Sequence, residues 1–181
     1  IQTPAAQDET DDTEIDETES VSDVQLEENP TEEELRIKSV FDYENDYHIS
    51  NLLKKCKNHS GSISPSIISA IERLAETKAS INIIINFLEE NMMQDEVGDK
   101  SVDLDLCDEF NQFHTNGFND VESLQMLRFI HNNNFLESDV VKNGAIKMKR
   151  ADIPVDIITN LIEIVSVNDI KENKLKVSSK A

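Results

Sequence analysis

The chain has 181 residues, the size of one domain with a single core. Its formal net charge is −20, only 5% of its residues are aromatic, and it has four glycines and four prolines, which favours helices over a loop-rich β fold. So acidic a chain repels nucleic acid and anionic membranes, and its sequence contains no run of about 18 apolar residues to span a bilayer.

The negative charge is concentrated at the N-terminus. The stretch "DETDDTEIDETES" has one large apolar residue, Ile15, and no basic residue. Too little apolar surface is available in residues 1–30 to offset chain entropy, so we predict a disordered acidic arm there. The fourteen carboxylates before the first basic residue, Arg36, leave a net charge of −6 for the rest of the chain. They are Asp8, Glu9, Asp11, Asp12, Glu14, Asp16, Glu17, Glu19, Asp23, Glu27, Glu28, Glu32, Glu33 and Glu34.

Two helices are predicted directly after the arm. Thr31 and Glu34 have the spacing of a capping box, which starts a helix over residues 31–44. Residues 47–58 repeat apolar side chains at helical spacing. They form a second helix, or the second half of one kinked helix.

Two further helices are predicted before residue 94. Ser64 followed by Pro65 is typical of a helix start, so a third helix begins there. Residues 80–93 are apolar on most sides, as expected of a central helix. The β-branched run Ile83-Ile84-Ile85 would also suit a strand, but no partner strand is recognisable, so we predict a helix.

The C-terminal half continues the helical pattern. Residues 94–101 are predicted to be a polar loop, and a helix over 102–115 ends at Asn116-Gly117, a left-handed cap. Another helix covers 120–131. The last two helices begin near Ser138 or Asp139 and at Asp152-Ile153-Pro154.

Seven or eight short helices joined by short loops predict an all-α fold. We expect a globular multi-helix bundle over residues 31–170, with stacked helical hairpins as the alternative. Residues 171–181 are polar and basic and are predicted to fray.

The oxidation state of the two cysteines, Cys56 and Cys107, depends on the cellular compartment. In an oxidising compartment they would form one disulfide, and in the cytosol they would be two buried thiols. We favour the disulfide, because the chain begins at Ile1 rather than Met, as a mature secreted protein does after signal cleavage. The glycosylation sequon at Asn58 carries little weight in a chain this rich in asparagine.

No constellation of residues predicts catalysis, a metal or a cofactor. Glycines are scattered, so there is no phosphate-binding loop, and no GxSxG motif is present. Cys56 and His59 have the spacing of one pair of zinc ligands, and Cys107 and His114, far away in the sequence, could supply the second pair. The aspartates at positions 95, 99, 103 and 105 do not have the spacing of a calcium loop. We therefore predict a protein that is not an enzyme and holds no metal and no cofactor.

Three sets of residues are candidates for contacts or modification. The first set consists of three phenylalanines close together in the sequence, Phe110, Phe113 and Phe118. Their clustering indicates either core packing or an aromatic anchor for a partner. Acid-directed phosphorylation is suggested at Thr13, Ser20 and Thr31, which have an acid three residues on. A basic set near a helix C-terminus would complement the helix dipole or receive an acidic segment: Lys142, Lys147, Lys149 and Arg150.

In its layout, the chain resembles salivary proteins of blood-feeding insects, in which an acidic low-complexity arm precedes a helical domain that binds host molecules. The stretch "DETDDTEIDETES" before a cysteine-poor helical domain carries this resemblance, although several such proteins have four or more cysteines. Intracellular chaperones and adapters with acidic tails share the layout. The resemblance covers no aligned residue, so no functional residue is carried over.

These observations together predict a secreted, non-enzymatic binding or effector protein. Its partner is expected to be a protein with a basic surface, and neither nucleic acid nor a membrane span is expected. The alternative is an intracellular scaffold or adapter whose acidic arm holds a basic client. The sequence does not determine the oligomeric state.

Deletion of residues 1–28 is expected to leave the melting temperature nearly unchanged, because the arm has no apolar face to bury. Thermal unfolding of the deleted and full-length chains measures this. A decrease beyond about 5 °C, roughly 1 kcal/mol for a domain of this size, would show that the arm packs on the domain.

Overall fold

The computed structural model of the protein describes residues 29–178, with side chains as far as residue 166. Its helical unit begins at Thr31. The prediction of a disordered arm concerns residues that lie almost entirely outside the described part. The described part contains eight helices and one small two-stranded sheet, which confirms the all-α prediction: α1 (Glu32–Val40), α2 (Asp46–Cys56), α3 (Pro65–Ala75), α4 (Ile81–Asn91), β1 (Met93–Gln94), β2 (Lys100–Ser101), α5 (Leu104–Thr115), α6 (Asp120–Asn133), α7 (Ser138–Arg150) and α8 (Val155–Ser178).

Several helices begin where a short polar side chain caps them, at Thr31, Asn45, Ser80, Asp103 and Asn119. Thr31 accepts a hydrogen bond from the Glu34 N–H at 3.2 Å, while the Glu34 carboxylate pairs with Lys57 at 2.7 Å instead of completing the capping box. The Asn45 side chain accepts from the His48 N–H at 3.1 Å and starts α2. Since α1 ends at Val40 and α2 begins at Asp46, these are two separate helices rather than one kinked helix.

Residues 94–101, predicted to be a loop, contain most of a β-hairpin. Met93 pairs with Ser101 and Gln94 with Lys100 in antiparallel register. The run Ile83-Ile84-Ile85 lies within α4, as predicted. α8 continues to Ser178, past residue 170, where the sequence predicted the helical domain to end.

The helices stack in two layers, because most of them pack against the next helix but one. The odd-numbered helices form one layer, the odd layer, in which α1 packs on α3 and α3 on α5. The even-numbered helices form the even layer, in which α2 packs on α4, α4 on α6 and α6 on α8. The hairpin pairs α5–α6 and α7–α8 join the layers. The described helices thus form the predicted multi-helix bundle, and its closely packed helical hairpins, α5–α6 and α7–α8, lie in the C-terminal half.

Ion pairs connect successive helices within each layer. The odd layer has Arg36–Glu72 between α1 and α3, Arg73–Asp108 between α3 and α5, and Lys142–Glu109 between α7 and α5. The even layer has Lys55–Glu89 between α2 and α4 and Arg128–Glu90 between α6 and α4. Because most of these side chains are exposed, each pair stabilises the fold only slightly, but together they favour this register of the stack.

Two hydrophobic cores lie side by side in the stack. The first is formed by α1 to α6 and includes Phe87 and Phe110, whose ring centroids are 6.0 Å apart. The second is formed by α5 to α8 and includes Phe113, Phe118 and Ile158. The cores meet at the α5–α6 hairpin, which contributes buried side chains to both.

Candidate interaction surfaces

The hairpin of β1 and β2 has a closed tip. The Asp95 N–H donates to the Asp99 carbonyl at 3.0 Å, and the Gly98 N–H donates to the Asp95 carbonyl at 3.1 Å. The Asp95 carboxylate accepts from the N–H groups of Val97 at 3.0 Å and Asp99 at 2.8 Å. These bonds fix the backbone on which the exposed side chains of the tip are carried.

Asn58 fastens this hairpin to the loop that follows α2. Its Oδ1 accepts from the Lys100 N–H at 2.9 Å, and its Nδ2 donates to the hydroxyls of Ser62 at 3.3 Å and Ser64 at 3.1 Å. The side chain is buried. Asn58 therefore has a structural role in the fold, and its amide is not presented as a glycan acceptor.

Gly98 is required where the hairpin meets the same loop. Its φ is +90°, and a Cβ built on it would lie 2.1 Å from Cδ2 of His59. The imidazole ring covers the glycine, so a larger residue at this position would displace either the ring or the hairpin.

The exposed side of the hairpin combines apolar and acidic side chains. Met93 is 62% exposed and Val97 is 76% exposed. The one lysine of the segment, Lys100, donates to the Lys55 carbonyl at 2.6 Å. We name a set of exposed apolar and acidic residues of the hairpin and of the start of α5 the acidic hairpin surface: Met93, Asp95, Glu96, Val97, Asp99, Asp103 and Asp105.

A second surface lies on α8, which is apolar on two adjoining sides. Val155, Ile158 and Ile162 are buried against the second core. Ile157, Leu161, Ile164 and Val165 are 40–58% exposed and form the α8 outer face. Apolar spacing in the sequence does not tell which part of so wide an apolar arc is covered.

Two polar clefts are found among the described residues. The larger, about 440 Å³, lies between α6 and the α7–α8 turn and is lined by Glu122, Lys149 and Asp156 among others. Burial alone would raise the pKa of Glu122, but hydrogen bonds from the Asn119 N–H and from Lys149 hold that pKa below its usual range. The other, about 340 Å³, contains the Arg128–Glu90 pair.

The three phenylalanines proposed as a partner anchor are core residues. Phe110 packs in the first core, and Phe113 and Phe118 pack edge to face in the second with centroids 5.2 Å apart. All three are fully buried, which agrees with the core-packing alternative, while a role as partner contacts stays a prediction. Phe118 is buried because Gly117, at φ +98°, turns the chain so that Phe118 points back under α5.

The predicted basic set does not form one patch. Lys142 pairs with Glu109 and Asp139, both at 3.5 Å, and Lys149 pairs with Glu122 at 3.1 Å. Arg150 donates to the Asn116 side chain at 2.5 Å, and Lys147 is exposed. Since these pairs use neighbours on α5 and α6, the set serves mainly to hold α7 in the stack.

The two cysteines are free thiols, in contrast to the disulfide favoured from the sequence. Both are fully buried. Burial raises the pKa of each thiol to about 12; the positive charge of Lys100 opposes this at Cys56, and the negative charge of Asp108 adds to it at Cys107. The cysteines thus lie in different surroundings, where each thiol packs as a small apolar side chain.

The remaining candidates are dispersed. Among residues 29–166, no three histidine, cysteine or carboxylate side chains converge as metal ligands would. His114 pairs with Asp120 at 3.0 Å. Thr31 is the N-cap of α1, whereas Thr13 and Ser20 lie outside the described residues, so phosphorylation of the three stays a prediction.

Within the described part of the chain, no helix combines the length and apolar character needed to cross a membrane. No family model, curated protein or solved structure matches this chain. Its function is therefore argued from the geometry of its surfaces.

Substitution of Gly98 by alanine is expected to destabilise the protein more than substitution of Gly117. Both glycines have positive φ, at +90° and +98°, so both variants acquire similar backbone strain. Only at Gly98 does the new methyl group meet a side chain, and displacing the exposed His59 ring from its rotamer costs about 0.5–1.5 kcal/mol more. Urea unfolding of the two variants measures the difference.

The variant that combines Gly98→Ala with His59→Ala serves as the control. Removal of the ring is expected to restore part of the lost stability. Equal destabilisation by Gly98→Ala and Gly117→Ala would contradict the close packing of His59 on the hairpin.

Proposed function

We propose that this protein is a non-enzymatic protein-binding module that engages a partner with a basic, partly apolar surface. The observation that carries the proposal is the acidic hairpin surface, where Met93 and Val97 are exposed among five carboxylates. Apolar side chains supply contact area at an interface, and complementary charge supplies attraction and specificity.

The rigidity of the hairpin supports the proposal. Asn58 bonds to the Lys100 N–H, and the Asp95 carboxylate closes the tip, so this backbone is ordered before a partner arrives. A binding surface that is already ordered loses less conformational entropy on association.

The distribution of charge supports it as well. The ion pairs between helices neutralise many carboxylates of the domain, for example Glu72 by Arg36 and Glu90 by Arg128. Asp95, Glu96 and Asp99 have no basic partner among the described side chains. The fourteen carboxylates before Arg36 would add long-range attraction to the same kind of partner.

The non-enzymatic part of the proposal is supported by the clefts. Glu122 and Lys149 pair with each other in the larger cleft, as do Glu90 and Arg128 in the smaller one. Charged groups that satisfy one another in open clefts are typical of structural ion pairs, whereas catalytic groups usually have strongly shifted pKa values in water-excluding pockets.

We expect the full chain to bind a synthetic peptide of alternating lysine and leucine, and to lose at least about tenfold in affinity between low and roughly 0.5 M salt. Fluorescence anisotropy measures the dissociation constant. The double variant Glu96→Lys, Asp105→Lys reverses two exposed charges of the acidic hairpin surface and is expected to weaken binding severalfold.

The matched control is the double variant Glu76→Lys, Glu137→Lys. It changes the net charge of the chain by the same amount, at exposed positions outside the acidic hairpin surface. Both double variants have the same overall charge, so a specific surface predicts that only the hairpin variant loses affinity. Equal loss in both would show that binding follows net charge and would overturn the role of the hairpin.

For the compartment, the alternative of an intracellular scaffold is favoured by one observation. Cys56 and Cys107 are separate buried thiols, and reduced cysteines are typical of the cytosol, whereas the secreted alternative would be expected to carry a disulfide. We therefore propose the intracellular scaffold as the second candidate, alongside the secreted effector.

Thiol titration of protein purified from its native source without reductant separates these two candidates. Two thiols are expected to react in denaturant, and almost none in the folded protein, because burial raises both pKa values to about 12 and excludes the reagent. The Cys56→Ser variant should report one thiol. Absence of reactive thiols in denaturant would support the disulfide and secretion.

A further inference from the structure

The chain contains two asparagine–glycine pairs, Asn116-Gly117 and Asn143-Gly144, which lie in contrasting backbone surroundings. The side-chain amide of an asparagine can be attacked by the backbone nitrogen of the next residue. Glycine leaves that nitrogen accessible, because it has no Cβ. The attack closes a five-membered ring, so the backbone between the two residues must rotate until the nitrogen reaches Cγ. The freedom of that backbone therefore decides which pair reacts.

Asn143-Gly144 lies in the interior of α7, which covers Ser138–Arg150. Each backbone N–H inside an α-helix is bonded to the carbonyl four residues earlier, so one peptide unit cannot rotate without breaking bonds of the helix on both sides. The Asn143 side chain is exposed, but its backbone is held. Exposure alone does not make this pair reactive.

Asn116-Gly117 lies at the end of α5, where the helical backbone stops. Asn116 has φ −95° and ψ 17°, and Gly117 has φ +98°. The Gly117 N–H donates to the His114 carbonyl at 3.2 Å. Rotation of the peptide unit between the two residues changes ψ of Asn116 and φ of Gly117 in opposite directions and leaves the flanking chain in place. Glycine accepts φ of either sign, so this rotation breaks one backbone hydrogen bond and creates no steric strain.

We propose that Asn116 is a site of spontaneous deamidation, whereas α7 protects Asn143. A base in the solvent takes the Gly117 N–H proton, and the nitrogen forms a bond to Cγ of Asn116. The bond between Cγ and Nδ2 breaks, and Nδ2 takes up a proton and leaves as ammonia. The product is a cyclic imide that joins Asn116 and Gly117.

Hydrolysis of the cyclic imide gives two products. Water that attacks the Cγ carbonyl breaks the bond between Cγ and the Gly117 nitrogen, and residue 116 becomes an aspartate in a normal backbone. Water that attacks the main-chain carbonyl breaks the other ring bond to that nitrogen, and the chain then continues through Cγ as isoaspartate. One water is consumed and one ammonia is released in either case, without oxidation or reduction.

The aspartate product changes two contacts of the side chain. Nδ2 of Asn116 donates to the Gln112 carbonyl at 2.7 Å, and Oδ1 accepts from Arg150 at 2.5 Å. A carboxylate retains the Arg150 contact as an ion pair but gives up the bond to Gln112, and it places negative charge at a helix C-terminus. These effects oppose one another, so little change in stability is expected.

The isoaspartate product inserts an additional backbone atom just before Phe118. The Phe118 N–H donates to the Phe113 carbonyl at 3.2 Å, and the two rings pack with centroids 5.2 Å apart in the second core. A longer backbone displaces the fully buried Phe118 from this position. Isoaspartate at residue 116 is therefore expected to destabilise the second core, which packs closely and tolerates little displacement.

Peptide mapping by mass spectrometry tests the site, after the folded full chain has been kept in mildly alkaline buffer at physiological temperature. Asn116 is expected to convert to acid at least about tenfold faster than Asn143. In denaturant, where α5 and α7 are absent, the two pairs should react at similar rates. The denatured rates should exceed the folded rate of Asn116, whose side chain is held by Gln112 and Arg150.

The variant Asn116→Gln is the control, because its longer side chain does not close the five-membered ring. It is expected to form no acid at residue 116 and to leave the rate at Asn143 unchanged. The proposal is overturned if Asn116 and Asn143 react equally fast in the folded chain. It is also overturned if Asn116 stays intact in the folded chain over a period in which the denatured chain converts.

Thermal unfolding tests the effect on the second core. The isoaspartate form, separated from the aged protein by ion-exchange chromatography, is compared with the variant Asn116→Asp, which has the same charge and a normal backbone. The isoaspartate form is expected to melt at a clearly lower temperature, and Asn116→Asp close to the original chain. Equal melting temperatures of the two acidic forms would overturn the predicted displacement of Phe118.

Discussion

Phe110 and Phe113 lie three residues apart on α5, yet they pack in two different hydrophobic cores. The neighbouring helix α6 does the same, with Leu127 in the first core and Ile130 in the second. The α5–α6 hairpin is thus the element against which both halves of the stack are assembled. Because aromatic side chains bury large apolar areas, the position of this hairpin determines where the other helices can pack.

The two-layer stack follows from that constraint. Most helices pack on a helix two places away in the chain, and α5 to α8 also pack on a consecutive helix. A stack of this kind remains open at its ends unless the terminal helices are polar outside. At α1 the exposed side is mostly charged, whereas at α8 it is aliphatic, which makes the two ends chemically different.

The charged groups show the same division of roles. Carboxylates between helices have basic partners, such as Asp108 with Arg73, and they help to set the register of the stack. The carboxylates at the hairpin tip bond instead to their own backbone or face solvent. The hairpin thus combines excess negative charge with exposed apolar groups, while a purely aliphatic surface lies on α8.

Features that depend on neighbouring residues could be predicted from the sequence. The cap at Thr31, the reciprocal capping of α6 by Asn119 and Glu122, and the helical character of Ile83-Ile84-Ile85 all follow from residues within one or two turns. Features that depend on distant residues could not. The hairpin within residues 93–101 exists because Asn58 bonds to Lys100 and His59 covers Gly98, about 40 positions away in the chain.

The amino-acid sequence by itself determined that the protein is acidic, that its domain begins at Thr31 and that the domain is built of helices, because charge count, capping and periodicity are local properties. Only the tertiary structure decided that Cys56 and Cys107 are separate thiols, that Phe118 is buried and that Ile157 and Ile164 are exposed. Burial is shared between elements that are far apart in sequence, and the same apolar spacing on a helix is compatible with a covered or an open face.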